Sequence, residues 1–158
     1  MKGKSEFNYT KISKYIYLGT TFYHPEDMES IVRVGIKAVV DLNLEKKDRP
    51  KNLTAYLWLP ARDYSPPTLE QFYLGVDFID QLVRRRIKTY VHCNVGFGRA
   101  PTLIAAYLVA IKGYSVSEAI ILLSHKRPGV HPNIHQVVGI RRFIRHFRKS
   151  NSRAKVLI

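Results

Sequence analysis

Two rhythms of apolar residues run along the 158-residue chain. Short β-branched and aromatic runs mark strands, and apolar positions spaced three or four apart mark helices. Ile12–Leu18 reads as a strand or strand pair closed by Gly19. Ile36–Leu42 is nearly all apolar between polar flanks, the pattern of a strand buried on both faces. Ala55–Leu59 reads as a short strand ended by Pro60, and Thr89–His92 as a strand running into a glycine-rich turn. A helix is predicted from Pro25 to Val34, with Glu26 and Asp27 in its first turn and Gly35 to end it. Thr68 opens the next, with Gln71 completing a capping box and Phe72, Val76, Ile79, Leu82 and Val83 on one side. Further helices are predicted from Arg99 to Ile111, stopped by Gly113, and from Ser115 or Ser117 to His125. The last should begin near Pro132 and run to Arg148. Glu45–Asn52, charged and carrying Pro50, is a loop. Strands alternating with helices imply an α/β fold, in which helices flank a mostly parallel sheet of about four to five strands. We expect a single domain over residues 1–158, its core spanning 8–148 and a basic tail covering 149–158.

Composition narrows the class. Hydrophobic residues make up 46% of the chain, enough for a sizeable core. Cys93 is the single cysteine, so no internal disulfide forms and a reducing cytoplasm is the expected compartment. No apolar run reaches the roughly 18 residues of a membrane-spanning helix. Met1–Glu6 lacks the apolar core of a secretory signal. The net charge is +14, and its distribution is lopsided. Residues 1–80 carry 11 basic and 11 acidic side chains, whereas 81–158 carry 15 basic residues and one acid, Glu118. An excess of this kind favours anionic partners, among them phosphate groups, nucleic acid and acidic membrane surfaces.

The candidate chemistry lies in that basic half. In an α/β sheet, ligands bind beyond the carboxyl ends of strands, where loops lead into helix N-termini. His92-Cys93-Asn94-Val95-Gly96-Phe97-Gly98-Arg99 occupies such a place. The two glycines let the backbone curl so that successive N–H groups converge, and the helix N-terminus adds its partial positive charge. This concavity suits a phosphate dianion, two of whose oxygens the Arg99 guanidinium can grip. The same field favours the thiolate of Cys93, a nucleophile directed at phosphorus.

The loop resembles the His-Cys-x5-Arg signature of cysteine-dependent protein tyrosine and dual-specificity phosphatases, above all the small atypical dual-specificity enzymes. Tyr15-Ile16-Tyr17-Leu18-Gly19 is similar to that family's first strand, and Arg62-Asp63-Tyr64-Ser65-Pro66-Pro67 to its general-acid loop. Lys126-Arg127-Pro128-Gly129, with Gln136 beyond it, is similar to the segment that packs against the active site. The resemblance implies that Cys93 attacks phosphorus to form a cysteinyl-phosphate, and that Arg99 with the backbone of Asn94, Val95, Gly96, Phe97 and Gly98 holds the phosphoryl oxygens. It implies that Asp63 serves as general acid and then base, with Asp41 and Asp48 as weaker rivals. His92 is expected to order the loop by bonding backbone, and Gln136 to lie near the catalytic water. It implies no metal and no cofactor. Two departures stand out. Where the family has Ser or Thr after the arginine, this chain has Ala100, with Thr102 as the nearest replacement hydroxyl. Where the family has a further glutamine there is Pro132, with Asn133 beside it.

Phosphoinositide phosphatases of the superfamily that the loop resembles tend to carry extra basic residues there, and Asn94–Gly98 has none, so the resemblance disfavours lipid headgroups and makes phosphoprotein the first expected substrate. Glucan phosphate, RNA 5′-phosphate and a phospholipid headgroup remain alternatives, as does a binding module that turns over poorly because of Ala100. On the last helix, Ile140, Phe143, Ile144 and Phe147 form a stripe expected to face the core, leaving the arginines around them solvated or available to nucleic acid or acidic membrane.

Overall fold

The computed structural model describes residues 6–156. Strands β1 (Tyr9–Lys11) and β2 (Ile16–Gly19) form an antiparallel hairpin. They are followed by α1 (Pro25–Arg33), β3 (Ile36–Asn43), β4 (Ala55–Ala61), α2 (Leu69–Arg84) and β5 (Lys88–His92). The chain then closes with α3 (Arg99–Lys112), α4 (Val116–Lys126) and α5 (Ile134–Val156). The sheet order is β1-β2-β5-β3-β4, parallel apart from the β1–β2 pair. The fold is therefore the expected single α/β domain with a mostly parallel sheet.

Alternation along the strands divides the core in two. Ile16, Leu18, Val40, Leu42, Val91 and Cys93 face the layer built from α2, α3 and α5. Tyr17, Val39 and Tyr90 face the other side, covered by Phe22 with Met28 and Ile31 of α1. Helix α3 is buried from Arg99 to Val109, as its lack of a polar face requires. On α5 the apolar stripe does face inward: Phe143 stacks on Phe72 at 5.2 Å and meets Tyr73 edge-on. Arg141, Arg142, Arg145, Arg148 and Lys149 are exposed. Phe143→Ala should cost about 3–5 kcal/mol, because it empties a large ring site between two helices. A urea titration would show this as a lowered midpoint at unchanged slope.

Four boundaries differ from expectation. The Ile12–Leu18 segment holds a turn before β2, and the partner strand β1 lies upstream of it. Strand β4 runs through Pro60 to Ala61; it is an edge strand, where a missing N–H is tolerated. Helix α5 starts at Ile134 instead of Pro132, because Asn133 caps it: Asn133 Oδ1 accepts from Gln136 N, and Gln136 Oε1 accepts from Asn133 N. The same helix continues to Val156, so residues 149–156 of the expected tail are helical. The last two tail positions, 157–158, lie outside the described residues. Among the described residues, no helix is long and apolar enough to cross a membrane.

Candidate active site

The turn from β5 into α3 is held from outside by its own carbonyls. His92 Nδ1 donates to Cys93 O at 3.1 Å, Thr21 N to Asn94 O at 2.8 Å and Arg127 Nη2 to Val95 O at 3.0 Å. His131 N donates to Phe97 O at 2.9 Å, and Thr102 reaches Gly98 O through both its N–H and its hydroxyl, the latter at 2.7 Å. With these carbonyls turned outward, the N–H groups are left for the inside of the curl. Among the described residues, no N–H of residues 94–98 donates a hydrogen bond. Gly96 makes the curl possible: its φ is +76°, and a Cβ there would lie 2.5 Å from the Gly19 carbonyl oxygen. Cys93, 2% exposed, stands at the start of this ring, beside the N-terminus of the 14-residue α3.

Arg99 closes the ring. Its Nη1 donates to both carboxylate oxygens of Glu45, at 3.0 and 2.9 Å, and to Ala61 O at 2.9 Å. That side of the guanidinium is fixed, while Nε, buried, makes no hydrogen bond. Asp63 Oδ1 lies 3.5 Å from Nε, so the carboxylate faces the same point as the free donor. Asp63 is solvent-exposed, and its loop is pinned by the start of α5. Asn133 Nδ2 donates to Tyr64 O at 2.8 Å, and Gln136 Nε2 to Ser65 O at 3.4 Å. Tyr64, next to Asp63, has a φ of +61°, a conformation costly for a side chain of its size and found where surrounding structure enforces it.

The other predicted residues take particular places. Gln136 is buried beside Gly98: a Cβ on that glycine would stand 3.2 Å from Gln136 Nε2. Thr102 points its hydroxyl at the Gly98 carbonyl, so it clamps the end of the loop and is not free to replace the hydroxyl absent at Ala100. The rival acids Asp41 and Asp48 are buried behind the loop at His92, away from Arg99. Asp48 Oδ2 is 2.7 Å from His92 Nε2, with Asp41 Oδ1 3.8 Å from the same atom. Burial opposes the charged imidazole, but the bond to Asp48, both carboxylates and the Cys93 carbonyl outweigh it and raise the His92 pKa. Burial raises the Asp41 pKa, assisted by the charge of Asp48, against the pull of His92 and a bond from Tyr56. Both ring nitrogens of His92 face acceptors, an arrangement that favours the charged imidazole, and Nδ1 holds Cys93 O.

Two residues of this site were missed in the sequence. In the sequence Glu45 is only one charge in a charged loop; no local pattern reveals a partner 54 positions away. In the sequence Arg127 stands out only as part of the Lys126–Gly129 segment. It is 5% exposed and tied to Asn8, Thr10 and Val95, with its guanidinium 5.2 Å from the Phe97 ring centroid. A buried guanidinium under the loop adds positive potential on the side of the thiol.

This arrangement can seat a tetrahedral oxyanion against inward N–H groups and a clamped arginine, with a thiol at its base and a carboxyl at its rim. The family model of the dual specificity phosphatase catalytic domain matches residues 16–146, and the chain belongs to that family. The human dual specificity protein phosphatase 5 is 29% identical over 124 residues, covering 78% of this chain and 32% of that protein. The Arabidopsis thaliana phosphatidylglycerophosphate phosphatase PTPMT2 is 31% identical over 147 residues, covering 87% of this chain and 64% of that protein. The chain thus spans about a third of the first relative's length. Among solved structures, PTPMT1 superposes with a TM-score of 0.82 at 23% identity, over 92% of this chain and 99% of that one. Tk-PTP in its active form gives 0.77 at 24% identity over 87% and 96%, so both show a common fold.

Proposed function

We propose that this protein hydrolyses phosphate monoesters through a cysteinyl-phosphate intermediate, acting first on phosphoproteins. The observation that carries this reading is the loop around Cys93 whose carbonyls at Cys93, Asn94, Val95, Phe97 and Gly98 are held outward and which ends on a half-clamped arginine. In the first step Cys93 Sγ forms a bond to phosphorus as the ester P–O bond breaks, and the Asp63 carboxyl gives its proton to the departing oxygen. In the second, a water oxygen bonds to phosphorus as the S–P bond breaks, Asp63 takes the water's proton, and phosphate leaves with the thiolate restored. Arg99 Nε and the loop N–H groups hold the equatorial oxygens throughout. His92 and Arg127 hold the loop from below and act as positioning residues, as do Gln136 and Thr102. A reducing, cytoplasmic compartment suits a mechanism that depends on a free thiolate.

A phospholipid phosphate is the second reading. Val95 is 44% exposed and Phe97 37% at the rim of the loop, an apolar border suited to the body of a lipid, and the Arabidopsis relative is named for such a substrate. A panel of phosphotyrosine and phosphothreonine peptides, phosphatidylglycerophosphate, glucan phosphate and 5′-phosphorylated RNA separates these readings. Phosphopeptide hydrolysis well above the rest supports the first, and hydrolysis of the lipid alone replaces it with the second. Asp63→Asn should lower kcat by about 100-fold on alkyl phosphates and by much less on 4-nitrophenyl phosphate, whose leaving group needs no proton. Equal losses on both would move the acid elsewhere.

A further inference from the structure

Behind the active site, on the α1 side of the sheet, lies a cavity of about 570 Å³ that the proposed reaction does not use. It falls in the size range of small-molecule sites. Its wall on one side is α1 with the preceding Phe22–His24; on the other it is the loop Lys46–Asn52. Phe22, Met28 and Val32 give it an apolar interior. Arg33, Lys46, Lys47, Arg49 and Lys51 surround that interior with positive charge. None of the five forms an ion pair with a carboxylate among the described residues. The acids in the lining are Glu29, exposed on α1, and Asp48, whose carboxylate is committed to His92. Five cations around an apolar pocket describe a receptor for one kind of molecule, an apolar body carrying an anionic head.

The loop that walls this cavity also supports the phosphate loop at both ends. Glu45, at its start, holds Arg99. Asp48, in its middle, holds His92, which holds the Cys93 carbonyl. Phe22, the other wall, packs its ring edge-on against His92 at 5.0 Å. A molecule in the cavity therefore touches two direct neighbours of His92 and braces the segment that orients Arg99. The loop has no regular secondary structure of its own, and Lys46 ties it to α1's side by a bond to Phe22 O. Such a loop can shift, and a ligand that prefers its observed position stabilises it.

We propose that this cavity is a second binding site, for an anionic amphiphile with a carboxylate or phosphate head, and that its occupation raises phosphatase activity. Binding is independent of the reaction proposed above; the activation rests on it. The probe is decanoate below its micellar concentration, titrated calorimetrically with inorganic phosphate present to fill the phosphate loop. Saturable binding of one decanoate is expected, absent for decyltrimethylammonium. Arg49→Glu with Lys51→Glu should weaken decanoate binding by about tenfold or more, since two of the head-group contacts reverse sign. Val32→Trp should abolish binding by filling the interior. Both variants should keep the unliganded rate on 4-nitrophenyl phosphate. In the wild type, decanoate should raise kcat/KM by about fivefold, the lower end of usual couplings between sites. Absence of saturable binding, or binding by both variants as tight as that of the wild type, overturns the site. Binding that leaves the rate unchanged or lowers it overturns the activation while leaving the site standing. A protein that binds decanoate but hydrolyses no phosphate ester at all overturns the proposed function and with it the activation.

Discussion

Cys93→Ser is expected to lower kcat for aryl phosphates by more than about 10⁴-fold while leaving phosphate binding intact. The two halves of this result have separate causes. A serine hydroxyl is a far weaker nucleophile than a cysteine thiol, so the nucleophile is lost. The loop that binds the anion is built from groups the substitution does not touch. Its carbonyls are held by Thr21, Arg127, His131, Thr102 and His92, and its arginine by Glu45 and Ala61. Oxygen for sulfur at a site 2% exposed removes volume without adding bulk, so the fold should survive, with a modest fall in melting temperature. Steady-state kinetics and a phosphate titration monitored by calorimetry check both halves. Undiminished turnover would remove Cys93 from the mechanism, and loss of phosphate binding with the fold intact would mean that the thiolate itself organises the loop. A complementary trace is chemical: acid-quenched Asp63→Asn should carry phosphate on Cys93, since slowed hydrolysis of the intermediate lets it accumulate.

What the chain reveals as a sequence divides by the range of the interaction. The β5–α3 turn was legible because its chemistry is contiguous: strand, cysteine, glycines and arginine lie within eight residues, and each has a local reason for its place. The same holds for the Thr68 capping box, which forms, whereas the choice between Ser115 and Ser117 falls to Ser115, which makes a capping box with Glu118. Asp63 was legible only through resemblance, since a carboxylate before two prolines is also an ordinary turn. The pairing of Glu45 with Arg99 was not legible at all. It depends on β3 lying beside β5 in the sheet, so that the segment leaving β3 passes over the start of α3. Asp41 and Asp48 illustrate the opposite error. Sequence alone admits any acid near a strand end as a rival catalyst, but strand alternation sends Asp41 to the α1 side with His92, where it serves the loop from behind. The expected end of α5 at Arg148 comes just before Ser150, Asn151 and Ser152, residues of low helix propensity. Instead Ser152 bonds back to the Arg148 carbonyl and keeps the helical turn.

Arg99→Lys should reduce kcat/KM by about 10³-fold, the upper end of what removal of one oriented transition-state donor costs. The geometry explains why a conserved charge does not rescue the reaction. Arg99 performs two tasks with one planar group: Nη1 is consumed by Glu45 and Ala61, and that fixes Nε toward the point faced by Asp63 Oδ1. A lysine has one ammonium on a flexible stem, and it must choose between Glu45 and the phosphoryl oxygens. Glu45 is half exposed, so a lysine that turns to it stays comfortably hydrated, and the phosphate loses its partner. Glu45→Gln separates the orienting task from the binding task. It keeps an acceptor for Nη1 but removes the charge and one of two equivalent oxygens, and should cost about tenfold. The cost should fall mainly on kcat, because a loosely held guanidinium still attracts the dianion but no longer meets the trigonal-bipyramidal phosphoryl group in the right plane. The double variant Arg99→Lys with Glu45→Gln is the decisive measurement. If Glu45 acts only through Arg99, the second change adds almost nothing to the first. Full additivity would give Glu45 a role of its own, independent of the arginine.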